Sequence, residues 1–486
     1  MLNKNTFSTS SAISEYPERV LQFGTGVLLR GLCDFLIDKA NKNGIYQGKI
    51  VVVKTTGPDV SEFSNQDNLY TVCVRGIDNG KPFEENVVIE SISRVLSTKT
   101  HWEEVLKTAE SQSIDLVISN TTEVGLQYVE ENITDNCPDS FPGKLTAWLY
   151  RRYNTIQKPT VVIPTELLVD NGKVLQEAVL KHVKNNKLGS EFENWINTKV
   201  RFCSSLVDRI VPGKPVGEEL TNLYDQLGYE DKLILKAEVY KLWAIEGENL
   251  EDTLGFAKAD KGIVISPNIE KYRELKLRML NATHTLMCGM AFLSGFNLVK
   301  DALNDEMMEK YLTILMLTEL GPSIPMELDI KTTHRYGREV MDRFRNPYIE
   351  HQWISITLQY TTKMRMRAIP LLINYYKTFE TVPQYFARCF AAYLLFMKVD
   401  HKSDGKYYGR YEGQSYLINC DSAEYFQKMW EDYSATEVVS EVLKNKELWG
   451  YDLSTLKDFE SNVSSHLSNM IILGVKDAIS ALNVYA

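Results

Sequence analysis

The chain has 486 residues, too many for one ordinary hydrophobic core, so two large domains are expected. Hydrophobic residues make up 44% and charged residues 24%, which excludes a disordered chain, and a formal net charge of -10 argues against nucleic acid or an anionic membrane surface as a partner. The seven cysteines are scattered with no C-x-x-C, which fits a reducing, cytoplasmic setting.

No H-E-x-x-H and no His/Cys tetrad occurs, so no metal site is expected. No apolar run approaches the roughly 20 residues that span a bilayer, and residues 1–18 read as a loose polar arm without signal-peptide architecture. Nothing in the sequence fixes an oligomeric state.

In chain order, Arg19 to Phe23 reads as a strand, and Val27 to Lys42 as a helix with Leu28, Leu32, Phe35 and Leu36 on one face. Between them stands Gly24-Thr25-Gly26, where a glycine turn lets the backbone approach a pyrophosphate and aims the helix N-terminus at it. Leu29 occupies the third position of G-x-G-x-x-G, so the motif alone also fits a plain strand-to-helix turn. Arg30 is a candidate for added charge on the phosphates or an ordinary surface arginine.

Ile50 to Val53 is the second strand, and Lys54 follows it where an Asp or Glu would grip an adenine ribose. A basic residue there leaves NAD versus NADP open. Further strands are expected at Val87 to Ser91, Leu116 to Ser119 and Val161 to Pro164, with helices near His101 to Ser111 and Lys144 to Thr155. Asn120 and Glu123 follow a strand end, where cofactors bind or where a polar cap would serve the next helix.

Alternating strands and helices predict an α/β, Rossmann-like, mostly parallel sheet. Between Asn171 and Pro267 the pattern is mixed, with helices near Val174 to Lys184 and Glu218 to Leu227 and strands near Ala237 to Trp243 and Ile263 to Ile265. This stretch reads as an elaboration of the first domain. From Asn268 the period becomes helical, with helices near Tyr272 to Ser294, Glu306 to Glu319, Gln352 to Lys363, Val382 to Lys398 and Leu456 to Ala481. The expected domains are 1–268, dinucleotide-binding, and 269–486, mainly α-helical.

Lys276, Asn281 and His284 share one helix inside an apolar run, with spacings that let them converge in front of it. Burial disfavours an ammonium and lowers a lysine pKa toward proton-transfer range. The same spacing also fits a snorkelling lysine beside two satisfied core residues.

The turn at Gly24 to Arg30 with K-x-x-x-x-N-x-x-H at Lys276 to His284 resembles the polyol-specific long-chain dehydrogenases, the mannitol dehydrogenase family. The segments QFGTGVLLRGLCDFLID, SNTTEVG, IPTELLVDNG, LVDRIV and FRNPYIEHQ are similar to its branch that reduces keto sugar acids. That resemblance runs nearly end to end.

It implies metal-independent hydride transfer with NADH, NADP being the lesser expectation, on a small keto sugar acid. It assigns acid/base work to Lys276, carbonyl polarisation to Asn281 and a substrate hydroxyl to His284. Asp208 is a candidate to orient the lysine, or a simple partner of Arg209. Gly24, Thr25, Gly26, Arg30, Asn120 and Glu123 are the cofactor candidates.

Arg343, Arg345, Asn346, His351 and Lys363 are the candidates for the substrate and its carboxylate, which needs a fixed cation. A second oxyanion-binding asparagine of the mannitol enzymes aligns with Leu167, which cannot donate. A sibling activity on another keto sugar acid or a hexitol, and a nucleotide-binding protein without catalysis, are the rival expectations.

Overall fold

The structure, a computed structural model, describes residues 1–122, 124–133 and 136–480. Two units follow, Met1–Arg75 with Pro82–Ile269, and Gly76–Lys81 with Glu270–Ala486.

The strands in chain order are β1 (Glu18–Phe23), β2 (Lys49–Lys54), β3 (Tyr70–Asp78), β4 (Lys81–Ile89), β5 (Ile92–Ser97), β6 (Leu116–Ser119), β7 (Thr160–Pro164), β8 (Val200–Phe202), β9 (Ser205–Asp208), β10 (Leu235–Glu238), β11 (Leu242–Glu246) and β12 (Ile263–Ser266). A six-stranded sheet runs β5-β2-β1-β6-β7-β8, with every pair parallel. Its order reverses between β1 and β6, the crevice where a doubly wound sheet binds nucleotides.

Period-two alternation sends the apolar side chains of these strands to both faces. Val20, Ile50, Val52, Leu116 and Ile118 enter one core, while Leu21, Phe23, Val51, Val53 and Val117 enter the other. Both faces are covered, and the polar Gln22 of β1 is fully buried with its Nε2 donating to Gly24 O at 3.3 Å. The second face is closed by the helix Phe141–Thr155 through Leu145, Trp148 and Leu149, and by Asn171–Asn185 through Leu175 and Val179. Ser140 starts the former by accepting from Gly143 N at 3.0 Å. Two three-stranded sheets, β10-β3-β4 and β12-β11-β9, complete the elaboration. The strand expected at Val87 to Ser91 straddles the end of β4 and the start of a break before β5, and the one expected at Ala237 to Trp243 is two strands, β10 and β11.

The second unit is mainly helical. Its helix Ala282–Phe292 is buried at every position before Phe292 and packs against Gln384–Phe396, which in turn packs on Phe459–Leu473. A helix apolar on all sides belongs in the centre of its unit.

Three expected features differ. The stretch Gln352 to Lys363 is two short helices, Trp353–Ile356 and Tyr360–Lys363, because Gln359 turns left-handed at φ 52°. Gly474, at φ 83°, ends Phe459–Leu473 before Val475–Ser480. Strands also occur here: β13 (His401–Ser403), β14 (Lys406–Tyr411) and β15 (Gln414–Ile418) form an antiparallel sheet. No helix of the described residues is long and apolar enough to cross a membrane.

Candidate active site

In the first unit, β1 ends in Gly24, whose φ of +122° suits glycine alone; a Cβ there would lie 2.9 Å from Leu29 Cδ1 and 3.0 Å from the Asn120 carbonyl oxygen. Gly24 N donates to Val53 O at 2.9 Å and Asn120 N to Phe23 O at 3.2 Å, which ties the turn to both neighbouring strands at the reversal point. At Gly26, which precedes the helix, a Cβ would meet nothing within 4 Å. That open space beside a helix N-terminus fits the pyrophosphate of a dinucleotide.

Leu29 does not do the packing work of a third glycine, and Gly31 does. A Cβ on Gly31 would meet Val211 Cγ1 at 2.9 Å and Leu235 Cδ1 at 3.3 Å. Thr25 and Arg30 lock the turn, since Arg30 Nε donates to Thr25 O at 3.1 Å and Nη1 to Leu233 O at 2.6 Å. Arg30 thus braces the backbone.

Asn120 Nδ2 donates to Thr165 O and Oγ1 at 3.1 and 3.0 Å, joining the ends of β6 and β7. Glu123 lies outside the described residues. Buried Glu166 accepts from Thr121 N at 2.8 Å, Thr121 Oγ1 at 3.1 Å and Ser119 Oγ at 3.3 Å, and burial raises its pKa. It shapes the loop leaving β6, while its neighbour Leu167 is 61% exposed. Lys54 Nζ donates to Asp59 O at 2.6 Å. Asp208 is buried at the end of β9, opposite Leu242. Arg209 donates from Nε to Glu238 O at 2.9 Å and from Nη1 to Gly31 O.

In the second unit, Lys276 and Asn281, both half-buried, lie within the π-helical turn Leu275–Asn281. Five residues along an α-helix would stand about 140° apart. The i→i+5 pattern of a π turn brings them to one side, and such turns recur at functional sites.

His284 follows on the buried helix. Its ring stacks on Phe344 with centroids 4.0 Å apart, and meets His351 at 5.2 Å and Trp353 at 5.9 Å edge-on. Burial drives its pKa well below the ordinary value, and His351, Arg343, Arg367 and Lys363 push the same way. The imidazole is therefore neutral, and its Nε2 is buried without a hydrogen-bond partner among the described residues.

Besides His351, the groups acting on His284 through charge are the cationic Arg343, Arg367 and Lys363. Lys363 Nζ donates to Ile356 O at 2.9 Å, and Arg367 Nη1 donates to Thr285 Oγ1 at 3.2 Å; neither makes an ion pair among the described residues. Burial lowers the pKa of both, and of His351. Arg343 and Asn346 are buried, the latter accepting from Tyr348 N at 3.0 Å. Arg345 pairs with Glu309.

The sequence reading missed Arg367, Thr285, Gly31 and Glu166. For Arg367 the available signal was only its place four residues after Lys363. Among the described residues no group of three His, Cys, Asp or Glu side chains could hold a metal ion.

The arrangement offers an amine, an amide, a neutral imidazole with an unused nitrogen, and cations suited to an anion. Comparison with known proteins gives two family models, the mannitol dehydrogenase Rossmann domain over residues 18–256 and the mannitol dehydrogenase C-terminal domain over 268–471. The altronate oxidoreductase of Halalkalibacterium halodurans is 37% identical over 485 residues, with 96% of this chain and 94% of that one covered. That of Bacillus subtilis is 34% identical over 487 residues, covering 98% and 97%.

Two solved structures share the fold. The mannitol 2-dehydrogenase of Pseudomonas fluorescens, in ternary complex with NAD and D-mannitol, matches at TM-score 0.67 and 20% identity over the whole of both chains. A substrate-free D-sorbitol dehydrogenase matches at TM-score 0.74 and 22% identity, covering 99% and 100%.

Proposed function

Since the chain belongs to the mannitol dehydrogenase family, we propose that it is a cytoplasmic enzyme that reduces D-tagaturonate to D-altronate with NADH, reversibly. The observation that carries this reading is the set of cations around His284. In a chain of net charge -10, Lys363 and Arg367 stand half-buried with no acidic partner among the described residues, as a carboxylate-bearing substrate requires.

The first unit fits the dinucleotide through the open approach at Gly26 and the turn fixed by Gly24 and Arg30. Lys54 donates to the Asp59 carbonyl, and the dinucleotide is taken as NAD on the ground of the family. When bound, the reduced nicotinamide supplies the hydride.

Lys276 holds the proton at Nζ and passes it to the substrate's carbonyl oxygen as that oxygen becomes an alkoxide. Asn281 donates its amide to the same oxygen and stabilises the developing charge. His284 offers Nε2 to a substrate hydroxyl, which would end the nitrogen's isolation. Glu166 holds the loop after β6 and so orients Asn120 and its neighbours for the cofactor. Seven cysteines without a disulfide accord with a reducing compartment.

The test is turnover of NADH by the purified protein with D-tagaturonate, D-fructuronate and D-fructose in parallel. The highest kcat/KM on tagaturonate is expected. A preference for fructuronate would move the assignment to a sibling activity, and oxidation of NADH with none of the acids would reject it.

A further inference from the structure

Several cations could meet a substrate carboxylate, and their bonding separates them. Arg345 is neutralised by Glu309. Lys363 spends one proton on the Ile356 carbonyl and presents a point charge. Arg343 is buried to 9% exposure. Arg367 is different in each respect. It is half-buried, it carries a planar fork of five N–H donors, and one of these is taken, by Thr285 Oγ1 at 3.2 Å.

That single bond also aims it. Thr285 Oγ1 donates to Asn281 O at 2.8 Å, so the hydroxyl proton is committed and the oxygen accepts from Arg367. The guanidinium is thereby keyed to the helix that carries Asn281 and His284. Its backbone is held as well, because the Arg367 carbonyl accepts from Arg278 Nη1 at 2.9 Å. Rigid placement of a fork next to the candidate reacting groups is what bidentate recognition needs.

A half-desolvated guanidinium lacking a carboxylate is a cost to the fold that an anionic ligand removes. We propose that Arg367 is the residue that grips the substrate carboxylate and selects keto sugar acids over neutral keto sugars. This rests on the reading of the chain as a keto acid reductase.

The experiment compares Arg367→Ala and Arg367→Lys with the wild-type enzyme on D-tagaturonate and on a neutral ketohexose, with NADH saturating. Loss of a charge-assisted fork predicts a fall in kcat/KM for the acid of roughly 100-fold in Arg367→Ala, carried by KM, with kcat/KM for the neutral sugar held within about threefold. Arg367→Lys keeps the charge without the fork and falls between the two. Guanidinium chloride added at tens of millimolar restores acid turnover to Arg367→Ala, whereas urea does not.

A parallel fall on acid and neutral sugar without guanidinium rescue, or an unchanged acid KM, overturns the assignment. Should Arg367→Ala not fold, an acid KM in Arg367→Lys equal to the wild-type value overturns it alone. Failure of the wider reading is distinct, since it would appear as no acid turnover by the wild-type enzyme itself.

Discussion

The Nη1 of Arg278 lies 2.9 Å from the carbonyl oxygen of Arg367 and donates to it, while reaching the Met366 carbonyl at 2.8 Å. One guanidinium thus staples the π turn Leu275–Asn281, which carries Lys276, to the π turn Met364–Ala368, which carries Arg367. Its Nε donates to Glu274 Oε2 at 3.0 Å, a pair whose side chains are 10% and 12% exposed.

Arg278→Ala therefore strands a nearly buried carboxylate and two carbonyls. We expect a stability loss of about 3 kcal/mol by urea denaturation, at the low end for breaking a buried pair, together with a lower kcat/KM for the keto acid. Unchanged stability and unchanged kinetics would show that the staple does nothing.

Two glycines, Gly26 just before the helical stretch that begins at Val27 and Gly31 inside it, should separate packing from cofactor binding. Gly31→Ala places a methyl against Val211 and Leu235 and is expected to cost about 1–3 kcal/mol, read from the urea midpoint. Gly26→Ala meets open space in extended backbone at φ -61°, so stability should hold while the Kd for NADH rises at least about tenfold. The reverse pattern would remove Gly26 from the cofactor site.

Asp34 gives a pH dependence. It is fully buried, and burial lifts its carboxyl to about 7, against the opposing hydrogen bond from Tyr70 at 3.1 Å. The folded protein holds a proton here that the unfolded chain, at an ordinary value of 3.8, releases. The associated stability is complete below the unfolded value and is lost as pH rises through about 7. Between about pH 5.5 and pH 8 the loss is on the order of 2 kcal/mol. Asp34→Asn keeps the neutral shape, so urea midpoints across that range should fall less steeply than in the wild-type protein. Identical slopes would place the titration elsewhere.

Much of the architecture was legible because β1, β2, β6 and β7 are buried on both faces and therefore largely apolar. The strands β13 to β15 escaped notice because they are short, and their Tyr, Lys and Gly residues form no sustained apolar alternation. The break at Gln359 also lacked a signal, since a left-handed glutamine is set by its surroundings and not by its own preference.

At the site, Lys276, Asn281 and His284 were visible as polar residues inside an apolar helix. The π turn that changes their angular relation has no residue signature. Arg30, read from its place beside a glycine turn as a candidate for the phosphates, also gives donors to the carbonyls of Thr25 and Leu233, a bracing role with no signal in the sequence. Arg367 reads as one of many surface arginines until its bond to Thr285 is seen.

The most direct test of the whole account is the Lys276→Ala enzyme, assayed for tagaturonate-dependent NADH oxidation and for NADH binding by fluorescence titration in the same preparation. The account predicts turnover lower by about a thousandfold, within the range for loss of a positioned acid/base group, with the NADH Kd within about twofold of wild type, as expected of a group acting only in the transition state. Turnover at the wild-type rate would contradict the assignment of the proton to Lys276 and with it the proposed chemistry.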